Sequence, residues 1–244
     1  MKRCIIKLSG EALSGNSDHG FCDKTIDSIA GQLKAVLECG TEIALVVGGG
    51  NFWRGRAGQE LIDRVKADQI GMLATVMNAI YLSEAFKRHG IRSEVMTPLP
   101  FANMTTVYDK YKALSLMSEG IVTFHAAGLC HPYFSTDSVA ALRGAELEVD
   151  CVLFCKNGVG GVYDKVPENG SNARMYKSLP YSTAIARQLK FVDGTALSLL
   201  VEANIPSFVF GLDGQDSIIR ACKERSFGTA LHTTVEEEFY VNAH

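Results

Sequence analysis

Short runs of aliphatic residues alternate along the chain with longer segments in which apolar residues recur every three or four positions. An aliphatic run with few polar interruptions is typical of a strand buried on both faces of a parallel sheet. The pattern predicts six such strands, at residues 4–8, 42–47, 93–97, 121–126, 151–155 and 206–210. Because these strands alternate with helical segments, we expect an open α/β sheet with helices on both faces.

The clearest predicted helix lies between the first two strands, with Asp23 as its candidate N-cap and Gly40 at its end. Its apolar stripe consists of Ile26, Ile29, Leu33 and Leu37. Further helices are predicted from about Ala67 to His89 and from starts at Thr136, at Asp193 and near Gln215. No repeat or linker interrupts the pattern, so we expect one domain over residues 1–231 and a C-terminal tail over residues 232–244.

Composition and charge mainly exclude classes of partner. The 244 residues carry a formal net charge of −3, so the basic field of a nucleic-acid-binding protein is missing. No stretch approaches the roughly 18 apolar residues of a membrane span, and Lys7 interrupts the first apolar run too early for a signal peptide. The seven cysteines show no C-x-x-C spacing. We therefore expect a cytoplasmic protein without a nucleic-acid or membrane partner.

Glycines, hydroxyls and cations are concentrated in the loops that follow four of the predicted strands. Ligands of open α/β sheets bind beyond the carboxyl ends of the strands, and backbone N–H groups of such loops can hold phosphates. The loops are KLSGEAL at 7–13, GGGNFWRG at 48–55, AAGLCHPYFSTD at 126–137 and KNGVGGVYDKVP at 156–167. None is a Walker A or G-x-G-x-x-G motif, so the pattern indicates another kind of phosphate site.

Each of these residues also has an ordinary structural explanation. Lys7 can be a surface lysine whose stem runs along the sheet, and the glycine triplet can be a tight strand-to-helix turn. Asp68 can be a capping or solvated carboxylate, and Asp193 a helix N-cap. His125 and His131 have no cysteine or carboxylate at ligand spacing, which argues against a zinc site.

Taken together, the motifs resemble those of the bacterial uridylate kinases, which belong to the amino acid kinase superfamily. In order, they are KLSGEAL, GGGNFWRG, DRVKADQIGMLATVMNA, PYFSTDSVAALRGAE, KNGVGGVYD and VDGTA. The resemblance implies a three-layer αβα sandwich with a mostly parallel central sheet. It also implies transfer of the ATP γ-phosphoryl group to UMP, Mg²⁺ bound mainly through the nucleotide phosphates, a homohexamer, and GTP and UTP as effectors.

The resemblance further implies roles for individual residues, but it assigns no metal-binding side chain. Lys7 and Arg54 would supply catalytic positive charge, and Asp193 would orient Lys7 and the phosphates. The implied ATP contacts are Lys7, Leu8, Ser9, Gly10, Gly50, Arg54, Asn157, Tyr163 and Val166. The implied UMP contacts are Gly49, Asp68, Leu129, Cys130, His131, Pro132, Tyr133, Phe134, Ser135 and Thr136. A nucleotide phosphate is already an anionic nucleophile, so positioning and positive charge suffice without a catalytic base.

Two loops depart from the pattern of the family. Relatives usually have G-T-G-N-P where this chain has GLCHP at 128–132, and they place a carboxylate at the position of Val166. Two alternatives therefore stay open: a phosphotransferase of the same fold with a different phosphate or carboxylate acceptor, and a non-catalytic nucleotide-sensing oligomer. The intact Lys7, Arg54 and Asp193 favour an enzyme.

Overall fold

The computed structural model describes residues 1–53, 62–167, 172–213 and 215–240. The strands of this part of the chain are β1 (Arg3–Leu8), β2 (Glu42–Val47), β3 (Ser93–Thr97), β4 (Thr106–Val107), β5 (Val122–His125), β6 (Cys151–Lys156), β7 (Tyr176–Pro180), β8 (Ser207–Gly211), β9 (Thr229–His232) and β10 (Glu238–Phe239). They form one sheet in the order β10-β7-β9-β8-β6-β1-β2-β5-β3-β4. All pairs from β8 to β4 are parallel, whereas β9 is antiparallel to β8 and β10 is antiparallel to β7.

Helices cover both faces of this sheet. Those described are α1 (Gly10–Leu13), α2 (Asp23–Glu38), α3 (Arg64–Lys87), α4 (Lys110–Ser118), α5 (Thr136–Glu146), α6 (Tyr181–Ala186), α7 (Gly194–Glu202) and α8 (Ser217–Lys223). Alternate residues of β1 enter separate cores: Ile6 packs with α2, α3 and α8, and Ile5 packs with α4, α5 and α7. The expected three-layer αβα sandwich with a mostly parallel central sheet is confirmed.

The six strands predicted from the aliphatic runs are the observed β1, β2, β3, β5, β6 and β8. The pattern missed β4 and β10, which have two residues each, and also β7 and β9. β9 extends to His232, and Glu238–Phe239 pair with β7. The sheet thus continues past residue 231, where the single domain was expected to end.

Close backbone packing explains the glycine triplet that follows β2. None of the three glycines has a positive φ. A Cβ atom on Gly49 would lie 2.9 Å from Gly71 O and 2.9 Å from Ala74 Cβ, both in α3. On the other side of the loop, a Cβ atom on Gly10 would lie 2.3 Å from Gly48 O. Gly48 and Gly49 are therefore held between α1 and α3 at distances that leave no room for a side chain, whereas Gly50 faces the side chain of Glu11.

We expect Gly10→Ala to lower the free energy of unfolding by about 1–3 kcal/mol, because the added methyl group meets rigid backbone. For a chain of this size the melting temperature should fall by about 2–4 °C per kcal/mol. Gly31→Ala, inside α2, is the matched control, because its Cβ atom would meet nothing within 4 Å. This substitution should raise the free energy of unfolding by about 0.5–1 kcal/mol, because alanine is the better helix former. Thermal unfolding of both variants tests this, and an unchanged melting temperature for Gly10→Ala would contradict it.

Candidate active site

Two neighbouring cavities open at the carboxyl edge of the parallel strands. The larger has a volume of about 670 Å³ and lies beyond the ends of β1 and β6. The smaller has a volume of about 170 Å³ and lies between α3 and the N-terminus of α5. Ligands of open α/β sheets bind at this edge, so the two cavities together are the candidate site.

A buried cluster of three charges lies beside the larger cavity. Lys7 Nζ is 3.0 Å from Asp137 Oδ1, and Lys156 Nζ is 3.1 Å from Asp137 Oδ2. Burial alone would raise the pKa of Asp137, but the two ammonium groups outweigh burial and hold this pKa below its usual range. Burial lowers the pKa of Lys156, although the negative charge of Asp137 acts to raise it. With all three groups ionised, the cluster has one positive charge in excess and attracts an anion.

Asp193 has a different set of contacts. It is the N-cap of α7, where its Oδ1 accepts a hydrogen bond of 3.0 Å from Ala196 N. The same oxygen accepts one of 2.8 Å from Ser138 Oγ, and Oδ2 accepts one from Ser135 Oγ. The Asp193 carboxylate therefore links the N-terminus of α5 to the N-terminus of α7 through hydrogen bonds.

Among the described residues, the carboxylate paired with Lys7 is that of Asp137. The expected role of Asp193 in orienting Lys7 and the phosphates stays a prediction. The sequence pattern did not single out Asp137, because an aspartate in the first turn of a helix is ordinary there. Lys156 was likewise not assigned a role. The available signal was its position at the end of a buried strand, since Lys156 is the last residue of β6 and Lys7 the last but one of β1.

The residues expected to contact ATP fall into three groups. Those that line the larger cavity are Lys7, Ser9, Asn157, Tyr163 and Val166. Leu8, Gly10 and Gly50 are not among the lining residues. Leu8 is fully buried in the core, and a Cβ atom on Gly10 would lie 2.6 Å from Gly50 N. Arg54 lies outside the described residues. Its role, like the ATP contacts, stays a prediction.

The residues expected to contact UMP lie at or beside the smaller cavity. Those that line it are Gly49, Asp68, Phe134 and Thr136. The others, which are not among its lining residues, are Leu129, Cys130, His131, Pro132, Tyr133 and Ser135. Tyr133 N donates a 2.8 Å hydrogen bond to Asp68 Oδ2, which attaches this loop to α3. Arg64 Nε is 2.9 Å from both oxygens of Asp68.

Three residues of the loop that follows β5 have a strained backbone conformation. Ala127, Cys130 and Tyr133 have φ values of 60°, 56° and 72°, which non-glycine residues rarely adopt. Strain of this kind persists only where the surrounding structure fixes it, and it is concentrated at ligand-binding sites. The hydrogen bond from Tyr133 N to Asp68 is one such constraint. The observation supports a binding role for the loop without assigning contacts to its individual side chains.

No described helix is long and apolar enough to cross a membrane. No group of three or more histidine, cysteine, aspartate or glutamate side chains among the described residues could hold a metal ion.

An αβα sandwich with a cationic cluster and a helix N-terminus at the carboxyl edge of its sheet is suited to binding and transferring phosphate groups. The chain belongs to the amino acid kinase family, whose model matches residues 2–211. It is similar to the UMP kinase of Bacillus anthracis, with 31% identity, a TM-score of 0.93 and coverage of 98% of this chain and 99% of that one.

Two further solved structures are similar to this chain. The UMP kinase of Ureaplasma parvum has 33% identity and a TM-score of 0.89, with coverage of 95% of this chain and 98% of that one. The uridylate kinase of Archaeoglobus fulgidus has 25% identity and a TM-score of 0.70, with coverage of 95% and 100%. The likeness extends well beyond residue 211, where the family match ends.

We expect Asp137→Asn to lower kcat at least about tenfold, because Lys7 loses the contact that positions its ammonium group. The variant also leaves two buried cations without a counter-charge, which should cost about 3–5 kcal/mol of stability at pH 7. The folded pKa of Asp137 lies below its unfolded value, so its stabilising effect is present above the unfolded pKa and is lost as pH falls through the folded one. The stability gap between wild type and variant should therefore narrow below about pH 4.

Steady-state kinetics and urea unfolding at several pH values measure both effects. Asp216→Asn is the control, because it removes an exposed partner 3.6 Å from Arg220, and such pairs contribute at most about 1 kcal/mol. A gap that stays constant from pH 7 to pH 3 would show that the charge on Asp137 is not what stabilises the site.

Proposed function

We propose that this chain is a UMP kinase that transfers the γ-phosphoryl group of ATP to UMP and releases ADP and UDP. The observation that carries the proposal is the pair of adjoining cavities, with the Lys7–Asp137–Lys156 cluster beside the larger one. Phosphoryl transfer requires two nucleotides held with their phosphates close together and positive charge between them. The similarity to UMP kinases over nearly the whole chain supports the choice of acceptor.

The larger cavity is the proposed ATP site. Its volume is that of a typical ligand pocket. Its cationic lining residues are Lys7, Lys156, Lys165 and Lys190, whereas Glu11 is the single acidic residue among the described lining residues. This excess of positive charge suits a triphosphate. The apolar side chains of Val162, Leu189 and Phe191 provide surface for a nucleoside.

The smaller cavity is the proposed UMP site. Asp68 presents a carboxylate that can accept hydrogen bonds from ribose hydroxyls. Thr136, the first residue of α5, brings the positive end of a helix dipole to the same space, where it favours the phosphate. The cavity therefore offers a hydrogen-bond acceptor for the ribose and the positive end of a helix for the phosphate of a nucleoside monophosphate.

Positive charge on the protein would act on the oxygens of the transferring group. Lys7 is held in position by Asp137. Its ammonium group can stabilise the negative charge that develops on the phosphoryl group during transfer. Mg²⁺ would be held mainly by the nucleotide phosphates, since the described residues include no group of three metal-ligating side chains. The ion would neutralise phosphate charge during transfer.

The proposed setting of the reaction rests on the family resemblance. We propose a cytoplasmic homohexamer that supplies UDP in pyrimidine nucleotide biosynthesis, with GTP and UTP as effectors. Gel filtration with light scattering tests the oligomeric state, and activity assays with each effector test the regulation.

We expect UMP to be phosphorylated in preference to dUMP, because Asp68 is placed for ribose hydroxyls and dUMP lacks one of them. We expect the same preference over CMP and AMP because the similar solved structures are UMP kinases, and we expect an absolute requirement for Mg²⁺. A coupled assay of ADP release across these monophosphates measures the preference. Lys7→Ala should abolish most of kcat while UMP still binds. Better turnover of CMP or AMP would contradict the assignment of UMP as the substrate. If none of the four monophosphates supports ADP release, the acceptor is a different molecule.

We expect Val166→Asp to lower the KM for ATP about three- to tenfold and to leave the KM for UMP unchanged. Val166 lines the ATP cavity where relatives have a carboxylate, and its 73% exposure means that water competes with the new hydrogen bond. Val107→Asp is the matched control, because this exposed valine lies on the edge strand β4. An unchanged KM for ATP in a folded Val166→Asp protein would mean that the nucleoside end of the site is built differently.

A further inference from the structure

Arg64, the first residue of α3, contacts the carboxylate of Asp68 one turn further along the helix. Its Nε atom is 2.9 Å from both Oδ1 and Oδ2. The side chain of Arg64 is 43% exposed, whereas that of Asp68 is 17% exposed and lines the smaller cavity. Exposed ion pairs contribute little to stability by themselves, so the main effect of Arg64 is on the orientation of this carboxylate.

The same carboxylate is attached to the loop that follows β5. Tyr133 N donates a hydrogen bond of 2.8 Å to Asp68 Oδ2. The guanidinium carbon of Arg64 lies 5.1 Å from the centre of the Tyr133 ring, within the range of a cation–π contact. Arg64, Asp68 and Tyr133 therefore contact one another pairwise and connect the start of α3 to this loop.

The two donors leave the oxygens of Asp68 unequally occupied. An ionised carboxylate offers about two acceptor positions on each oxygen. Oδ2 accepts from both Arg64 and Tyr133, whereas Oδ1 accepts, among the described residues, only the hydrogen that Arg64 Nε shares between the two oxygens. The acceptor position that remains for a ligand in the smaller cavity is therefore on Oδ1.

We propose that Arg64 is a positioning residue that holds Asp68 so that Oδ1 accepts a hydrogen bond from a ribose hydroxyl of the acceptor nucleotide. This inference rests on the proposed function and adds to the acceptor site a residue that the family resemblance did not assign. Without Arg64, Tyr133 N alone would hold the carboxylate, which could then turn about its side-chain bonds. The bond to the hydroxyl would be weaker, because binding would have to fix the carboxylate as well.

The test measures the contribution of one hydroxyl at a time. Steady-state kinetics compare UMP with dUMP, which lacks the 2′-hydroxyl, and with 3′-deoxy-UMP. In the wild type, the analogue without the bonded hydroxyl should have a lower kcat/KM than UMP. Arg64→Ala should reduce this preference about three- to tenfold, because UMP loses its bond to a positioned carboxylate and the analogue has no such bond to lose. The KM for ATP should be unchanged.

Arg64→Lys should keep more of the preference than Arg64→Ala, since an ammonium group can still pair with Asp68. Lys66→Ala is the matched control, because it removes an exposed positive charge from the same turn of α3, and Lys66 Nζ contacts Gln69. It should leave the preference unchanged.

An unchanged preference in the Arg64 variants would overturn the proposal. If kcat/KM then fell equally for UMP and both analogues, Arg64 would act on the phosphate or on the fold. Equal kcat/KM for all three in the wild type would overturn it as well, because Asp68 would then not bind a ribose hydroxyl. Failure of the proposed function is distinguishable, because the wild type would release no ADP with UMP.

Discussion

The contact of one buried carboxylate with two lysines constrains the rest of this site. Lys7 is the last residue but one of β1 and Lys156 is the last residue of β6, which are neighbouring parallel strands. Asp137 is the second residue of α5. An unpaired charge at this depth would be strongly destabilising, so the cluster is stable only when β1, β6 and α5 keep their relative positions. A set of charges suited to phosphate therefore also fixes the helix above the sheet.

Consecutive residues at the start of α5 face different parts of the site. Thr136 lines the smaller cavity, whereas Asp137 binds the lysines that line the larger one. Ser135 caps the helix and donates to Asp193, which caps α7. A helix that begins at this point can present its N-terminus to an acceptor phosphate and its first aspartate to the cations of the donor side.

The sequence predicts the centre of this fold well and its edges poorly, for physical reasons. Central strands are buried on both faces and appear as aliphatic runs, but β4 and β10 have two residues each and carry no pattern. Lys7, which the sequence marks by its position in an apolar strand, lines the larger cavity, and its catalytic role stays a prediction. Asp137 could not be assigned from local sequence, because its role depends on a contact with Lys7, which lies 130 positions earlier.

The glycine triplet connects the two halves of the site. The resemblance implies nucleotide contacts for Gly49 and Gly50, and the structure adds close contacts of the triplet with the protein itself. Gly48 packs against Gly10 beside the larger cavity, and Gly49 packs against α3 beside the smaller cavity.

Buried amide contacts hold the same loop from a third side. Asn78 Nδ2 donates to Gly48 O at 2.7 Å, and the side chains of Asn51 and Asn78 exchange hydrogen bonds of 3.0 and 2.7 Å. Packing this close leaves the loop little freedom to move relative to either helix. Transfer between two bound nucleotides depends on reacting atoms held within about 3–3.5 Å. In the proposed reaction, the glycines would therefore act indirectly, by keeping the loop between the two cavities in a fixed position.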